Sequence, residues 1–277
     1  ASHETEISSD DIPWIRLQTT RSANDRERQI HSLQILFGKT ESNTSLSCYL
    51  DTSFVGTYSI PADSITSELT IPITQTNASI AFHSIELKFN ESIPEIDAIG
   101  ILPDTGLVFH NVAMRGSSGT LFRQLDRNQF SNQIQSHEMG MVILQFGGNA
   151  VPYISDEVAV QRYANWFSSQ IKLFQSLIPD VAIIVIGPSD MAVKKGQNMV
   201  TYPMLIPVRN ALRQATMQQN ALYWDVFKVM GGEGSMTAWA NAETKLASSD
   251  HVHFTRKGAK KIASLLAQSL DSEWVAW

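Results

Sequence analysis

Near the end of the chain, the string SSDHVHFT (248–255) sets an acid, Asp250, three residues ahead of His253, with His251 between them. A carboxylate so placed can accept from one imidazole nitrogen, fix the tautomer and steady the imidazolium. The other nitrogen is then free to take a proton from a hydroxyl. His251 competes for this role, but in an extended segment it points the other way, so His253 is preferred. The plainer alternative is that Asp250 only caps the next helix and His253 is a surface group.

A base of this kind works with groups that bind a developing oxyanion, and two loops offer them. NVAMRGSSGT (111–120) contains Gly116 and Gly119, and a glycine N–H with no side chain in the way is a good oxyanion donor. Its other reading is an ordinary Gly/Ser turn. QFGGNAVP (145–152) turns at Gly147 and Gly148 and then presents Asn149, whose carboxamide NH₂ can donate to the same charge. Asn149 is equally suited to a left-handed turn or a helix cap.

These loops need elements to hold them. Residues 1–13 are polar and read as a loose lead-in. From 14 to 101 the texture is β, with HSLQILF (31–37), SLSCYLD (45–51), ELTIPI (68–73) and SIAFHSIELKF (79–89) as short, alternating strands. Such a run without helices predicts a β-sandwich, jelly-roll-like domain. From 102 to 277 the texture changes. GLVFHNV (106–112) reads as a strand, and MVILQF (141–146) and VAIIVIG (181–187) read as strands buried on both faces. A helical apolar spacing covers 157–177 through Val158, Tyr163, Trp166, Phe167, Ile171 and Phe174. Pro203 opens a second helix running to about 219, ALYWDV follows as a short strand, and Thr255 caps a last helix to about 270. Alternating strands and helices predict a three-layer α/β domain around a parallel sheet, with function at the strands' carboxyl ends.

Composition narrows the classes. With 43% hydrophobic and 17% charged residues the chain can bury a sizeable core. The net charge of −6 argues against nucleic acid or an anionic membrane as partner. No apolar run reaches membrane-spanning length. The charge is uneven: residues 1–100 hold 6 Lys+Arg against 14 Asp+Glu, which supports two units. The single cysteine, Cys48, excludes an intrachain disulfide, a Cys-rich zinc site and a CxxC redox pair, and reads as a small buried hydrophobe. Metal-assisted hydrolysis by His251, His253 and Asp250 lacks further ligands at a suitable spacing.

Taken together, these motifs resemble the SGNH (GDSL) hydrolase superfamily. Asn111 and Gly116 look like its second block, Gly147–Asn149 its third, and Asp250 with His253 its fifth. VIGPSDM (185–191), YWDVFKVMGGEGSM (223–236) and DHVHFTRKGAKKIA (250–263) resemble the bacterial peptidoglycan and polysaccharide O-acetylesterase branch, which can carry an inserted β-sandwich like residues 14–101. The resemblance implies a serine ester hydrolase acting on an acetylated glycan. His253 is then the base, Asp250 its orienting acid, and Gly116 and Asn149 the oxyanion donors. It implies no cofactor and no metal, and a periplasmic or extracellular location. The first block, Gly-Asp-Ser, is absent. Its nearest string is ADSIT (62–66), where Ser64 lies in the β-rich part with no buried parallel strand leading into it. The nucleophile is therefore expected upstream of Ala1, and this chain is expected to be nearly inactive by itself. Ser117, Ser118 and Ser235 sit in segments with other matched roles. The other class of function is a non-catalytic glycan binder with a retired hydrolase half and Trp14, Tyr49 and Tyr58 as stacking aromatics.

Overall fold

The computed structural model describes residues 3–8, 12–19, 31–63, 67–73, 83–90, 93–102, 107–135 and 139–275. The chain divides into two compact units, Ala1–Val112 and Ala113–Trp277, so the division falls later than the change of texture at 101/102.

Unit 1 is built from antiparallel strands β1 (His3–Ser8), β2 (Trp14–Thr19), β3 (Ser32–Phe37), β4 (Thr44–Leu50), β5 (Ser53–Ile60), β6 (Ser67–Pro72), β7 (Ser84–Phe89) and β8 (Ile96–Leu102). One sheet runs in the order β1-β2-β7-β4-β5 and the other β6-β3-β8. Alternation decides what is buried. Ile15 and Leu17, Leu46 and Cys48, and Ile85, Leu87 and Phe89 share one cluster with Leu33, Ile35 and Phe37 of β3 and Ile71 of β6. Strands β1 and β5 lie outside the segments whose alternation predicts strands. Residues 3–8, expected in a loose lead-in, pair along their whole length with β2. β5 returns from β4 through a tight turn at Asp51, whose φ is +54°.

Cys48 sits fully enclosed in this core, and burial pushes its thiol up to about 12. A neutral, enclosed thiol is inert. The folded chain should therefore give no reaction with a thiol reagent over minutes and one equivalent in denaturant. Prompt native labelling would show that this core opens.

Unit 2 holds helix α1 (Arg127–Gln135), strand β9 (Met141–Gln145), helix α2 (Glu157–Leu177) and strand β10 (Ala182–Ile186). It continues with strands β11 (Ala192–Lys195) and β12 (Asn198–Thr201), helix α3 (Leu205–Gln218), strand β13 (Leu222–Trp224) and helices α4 (Val226–Met230), α5 (Ser235–Asn241) and α6 (Arg256–Val275). β13, β10 and β9 form a parallel sheet in that order. β10 shows why layers form on both faces. Ile183 and Val185 pack into one cluster with α2 and α3, while Ile184 and Ile186 pack into another with α4, α5 and α6. α2 is capped by Asp156, whose carboxylate accepts from the Ala159 N–H at 2.8 Å, and it buries Val160, Tyr163, Phe167, Ile171 and Phe174. Val158 and Trp166, expected on that stripe, point outward at 68% and 59% exposure.

The segment 107–112, expected as a strand, has no regular structure. Leu107, Phe109 and Val112 are 91%, 70% and 77% exposed. An apolar β pattern becomes a strand only when a neighbour supplies the hydrogen-bond ladder, and no described strand does so here.

Candidate active site

Three loops of unit 2 stand at, or are tied to, the carboxyl edge of the parallel sheet. The first, 146–150, follows β9. Gly147 turns at φ +113°, and a Cβ there would meet Leu212 Cδ1 at 2.9 Å. Asn149 then emerges exposed. It is neither left-handed nor a cap, since the short 3-10 helix Val151–Tyr153 after it has Ala150 at its N-cap and α2 is capped by Asp156. Its Nδ2 donates to the Ser117 carbonyl at 3.0 Å, which leaves its second N–H available.

That bond joins it to the second loop, 113–120. Gly116 is exposed with φ +73°. The turn is closed by Ser117 N–H donating to the Met114 carbonyl at 3.2 Å. Tyr163 Oη donates to the Ser118 carbonyl at 2.6 Å, and Gly119 N–H donates to Ser117 Oγ at 3.1 Å. Gly119 lies directly against Phe146, where a Cβ would approach the ring to 2.4 Å. Both loops are thus fixed by backbone contacts that need glycine. Asn111, matched to the same block, falls in unit 1 and is exposed.

The third loop, 248–255, carries Asp250 and His253. Asp250 Oδ2 lies 2.7 Å from His253 Nδ1, and Oδ1 accepts from the Val252 and His253 N–H groups at 2.9 and 3.0 Å. Asp250 therefore both caps the turn and orients the ring, and the two expected roles are one arrangement. With Nδ1–H given to the carboxylate, the Nε2 lone pair is left for chemistry, and the His253 side chain is 77% exposed. His251 is left-handed at φ +57°, a conformation costing roughly 1–3 kcal/mol in a non-glycine residue. Its Nδ1 is buried without a hydrogen-bond partner. Backbone bonds hold this turn: His251 N–H to the Ser248 carbonyl at 3.1 Å, and Ala192 N–H to the His251 carbonyl at 2.9 Å. Ala192 follows the β10 loop, so the turn is fastened to the carboxyl side of the sheet. Thr255 ends the loop as expected, with Oγ1 accepting from the Gly258 N–H at 3.2 Å.

The Asp250 carboxyl is held down to about 2, first by the His253 N–H, against partial desolvation that pushes it up, and then by the His253 ring and the Val252 N–H. Its folded pKa lies below the unfolded value of about 3.9. What the loop gains from ionised Asp250 is therefore present above about pH 4 and lost as pH falls from there through about 2. A carboxyl-carbon titration of Asp250 should give a midpoint near 2; one near 4 would mean that the loop is not formed in solution.

Among the described residues the His253 ring bonds only to Asp250, and no serine hydroxyl reaches it. Ser117 Oγ serves Gly119, Ser118 Oγ meets Thr120 Oγ1 at 3.4 Å, and Ser235 is buried against Asp190. Ser64 lies outside the described residues. Two residues bonded near these loops carried no signal in the sequence. Ala192 acts through its backbone, for which no residue type is a signal. Asp190 stands in the quoted string VIGPSDM, but nothing in its spacing marks it as buried.

No family model matches the chain, and no curated protein matches it. Solved structures do. A peptidoglycan O-acetylesterase superposes with a TM-score of 0.70 at 17% identity, covering 99% of this chain and 78% of its own. A family two carbohydrate esterase from Clostridium thermocellum covers 98% of each chain at 9% identity with a TM-score of 0.38. A carbohydrate esterase family 2 enzyme from Corynascus thermopiles covers 95% and 96% at 12% identity with a TM-score of 0.31. The last two overlap too loosely to add weight. The first establishes the fold alone: the chain shares the architecture of that solved esterase.

Proposed function

We propose that this polypeptide is the greater part of a carbohydrate O-acetylesterase-type serine hydrolase acting on acetyl esters of peptidoglycan or another polysaccharide outside the cytoplasm. The observation that carries this is the Asp250–His253 pair at 2.7 Å, on a turn fastened to the same side of the parallel sheet from which Asn149 emerges. The similar solved structure is of a peptidoglycan O-acetylesterase, in keeping with this reading. In the reaction, a serine Oγ attacks the acetyl carbonyl carbon while His253 Nε2 takes its proton. The oxyanion is met by the Gly116 N–H and the second N–H of Asn149. His253 returns the proton to the leaving sugar hydroxyl, and water then releases acetate by the same route. Asp250 keeps the ring in the Nδ1–H form throughout. No metal or organic cofactor enters these steps.

The serine is expected on a strand beside the edge of β9 that no described strand covers. Among the described residues β9 pairs with β10 alone, and its residues are less buried than those of β10 despite an equally apolar sequence. A parallel strand ending in Gly-Asp-Ser on that edge would bring its hydroxyl to the carboxyl side, where the other groups stand. The test is to place such a strand ahead of Ala1 and measure p-nitrophenyl acetate hydrolysis with and without His253→Ala. Activity indifferent to His253 would refute the assignment.

A second reading has its own observation. We infer a β-sandwich from the two sheets of unit 1, and the outer face of its larger sheet has a concavity of about 420 Å³. Tyr49 lines it beside an Arg16–Glu86–Lys88 ion-pair network. A ring beside paired charges suits a sugar, and this reading keeps unit 1 as a glycan binder even if unit 2 is inert.

A further inference from the structure

The described residues hold one fully buried carboxylate that the mechanism does not use. Asp190, on the loop after β10, has 0% exposure. Only donors surround it: Thr201 Oγ1 at 2.8 Å on Oδ1, and the Met236 N–H at 2.8 Å with Ser235 Oγ at 3.5 Å on Oδ2. Thr201 Oγ1 in turn accepts from the Gly234 N–H at 3.0 Å. A buried carboxylate is tolerated only when its acceptors are filled, and this one is filled from two separate segments. It therefore ties the β10 loop to the end of β12 and the start of α5.

The tie continues along the backbone toward the base. The next carbonyl, of Met191, accepts from the Tyr202 N–H at 3.0 Å. The next residue, Ala192, gives its N–H to the His251 carbonyl at 2.9 Å. His251 is the left-handed residue between the acid and the base. A non-glycine residue keeps that conformation only where its surroundings over-determine it. The Ala192 N–H is one of the two backbone bonds on this residue, and it alone comes from outside the 248–255 loop.

We propose that Asp190 is a positioning residue for His253. It fixes segment 190–192 so that the Ala192 N–H holds the His251 carbonyl, and the turn so held keeps the His253 ring against Asp250. The proposal rests on the reading of His253 as the base, but its test needs no turnover.

The test uses the full chain and two signals. One is hydrogen exchange at the Ala192 amide, compared with the Val185 amide in the middle of β10. The other is the ring nitrogen shifts of His253 at pH 8, which report whether the proton sits on Nδ1. In Asp190→Asn an NH₂ faces groups that themselves donate, so the knot loosens. Ala192 exchange should rise about tenfold or more while Val185 stays protected, and the single Nδ1–H form should give way to a mixture. Thr201→Val removes one donor while keeping the shape; it should move both signals the same way, and it carries the test if Asp190→Asn does not fold. Lower stability with both signals unmoved would make Asp190 a core brace only and overturn the proposal. These results are separable from the esterase reading. An inactive completed enzyme with moved signals leaves the positioning role intact, and an active one with unmoved signals sinks the role alone.

Discussion

Offered p-nitrophenyl acetate, the 277-residue chain should show at most the residual acceleration of a site without its nucleophile, and the same chain completed with a strand ending in Gly-Asp-Ser should turn over on the order of 10³-fold faster or more. The magnitude follows from what each part supplies. Oxyanion donors and binding, without a nucleophile, keep roughly 10³–10⁴ of acceleration over water. Removing the nucleophile or the base of a comparable triad costs about 10⁶ in turnover. A grafted strand will not recover all of that, because a misplacement of about 1 Å costs about 10²-fold. In the completed protein His253→Ala should return the rate to that of the chain by itself. Asn149→Ala should cost about 10²–10³, or roughly 3–4 kcal/mol, if its free N–H meets the oxyanion. Robust hydrolysis by the uncompleted chain that disappears in Ser64→Ala would instead put the nucleophile at Ser64 and end the completion idea.

The second large effect is on stability. Gly119→Val should destabilise unit 2 by about 2–5 kcal/mol, because two penalties fall on one residue. At φ +78° a side chain enters the left-handed region, which costs roughly 1–2 kcal/mol and more for a β-branched residue. Its Cβ would also stand 2.4 Å from the Phe146 ring, and overpacking of this kind costs typically about 1–3 kcal/mol. Phe146 cannot swing away freely, since it packs edge-on against both Phe122 and Phe167. For a unit of this size the melting temperature should fall by about 5–15 °C. Gly116→Ala makes the contrast: φ is similar at +73°, but a Cβ there meets nothing within 4 Å, so only the backbone penalty remains. Equal losses in the two variants would mean that the loop does not pack on Phe146 in solution.

Periodicity and caps carried the fold of unit 2. Short unbroken apolar runs pointed to β9 and β10 as strands covered on both faces; β10 is so covered, whereas β9 forms its strand but leaves Met141 and Gln145 exposed. Also legible were α2, from a stripe spaced by three and four, and the start of α6, from Thr255. The Asp250–His253 pair was legible for a similar reason: they are three positions apart, and the acid caps the very turn that brings the ring round. Other features depend on partners distant in sequence. Val158 and Trp166 fit the helical stripe, but the neighbouring helices and sheet determine which arc of α2 is covered. Segment 107–112 has a strand's composition yet forms none, because a ladder needs a second strand. Asn149 reached Ser117 instead of capping its own helix, and Asp190 sank into the interior, where its donors come from residues 201, 235 and 236. Local spacing fixes what neighbours along the chain do to one another; which far segment supplies a hydrogen-bond partner or a covering face is decided only when the chain packs.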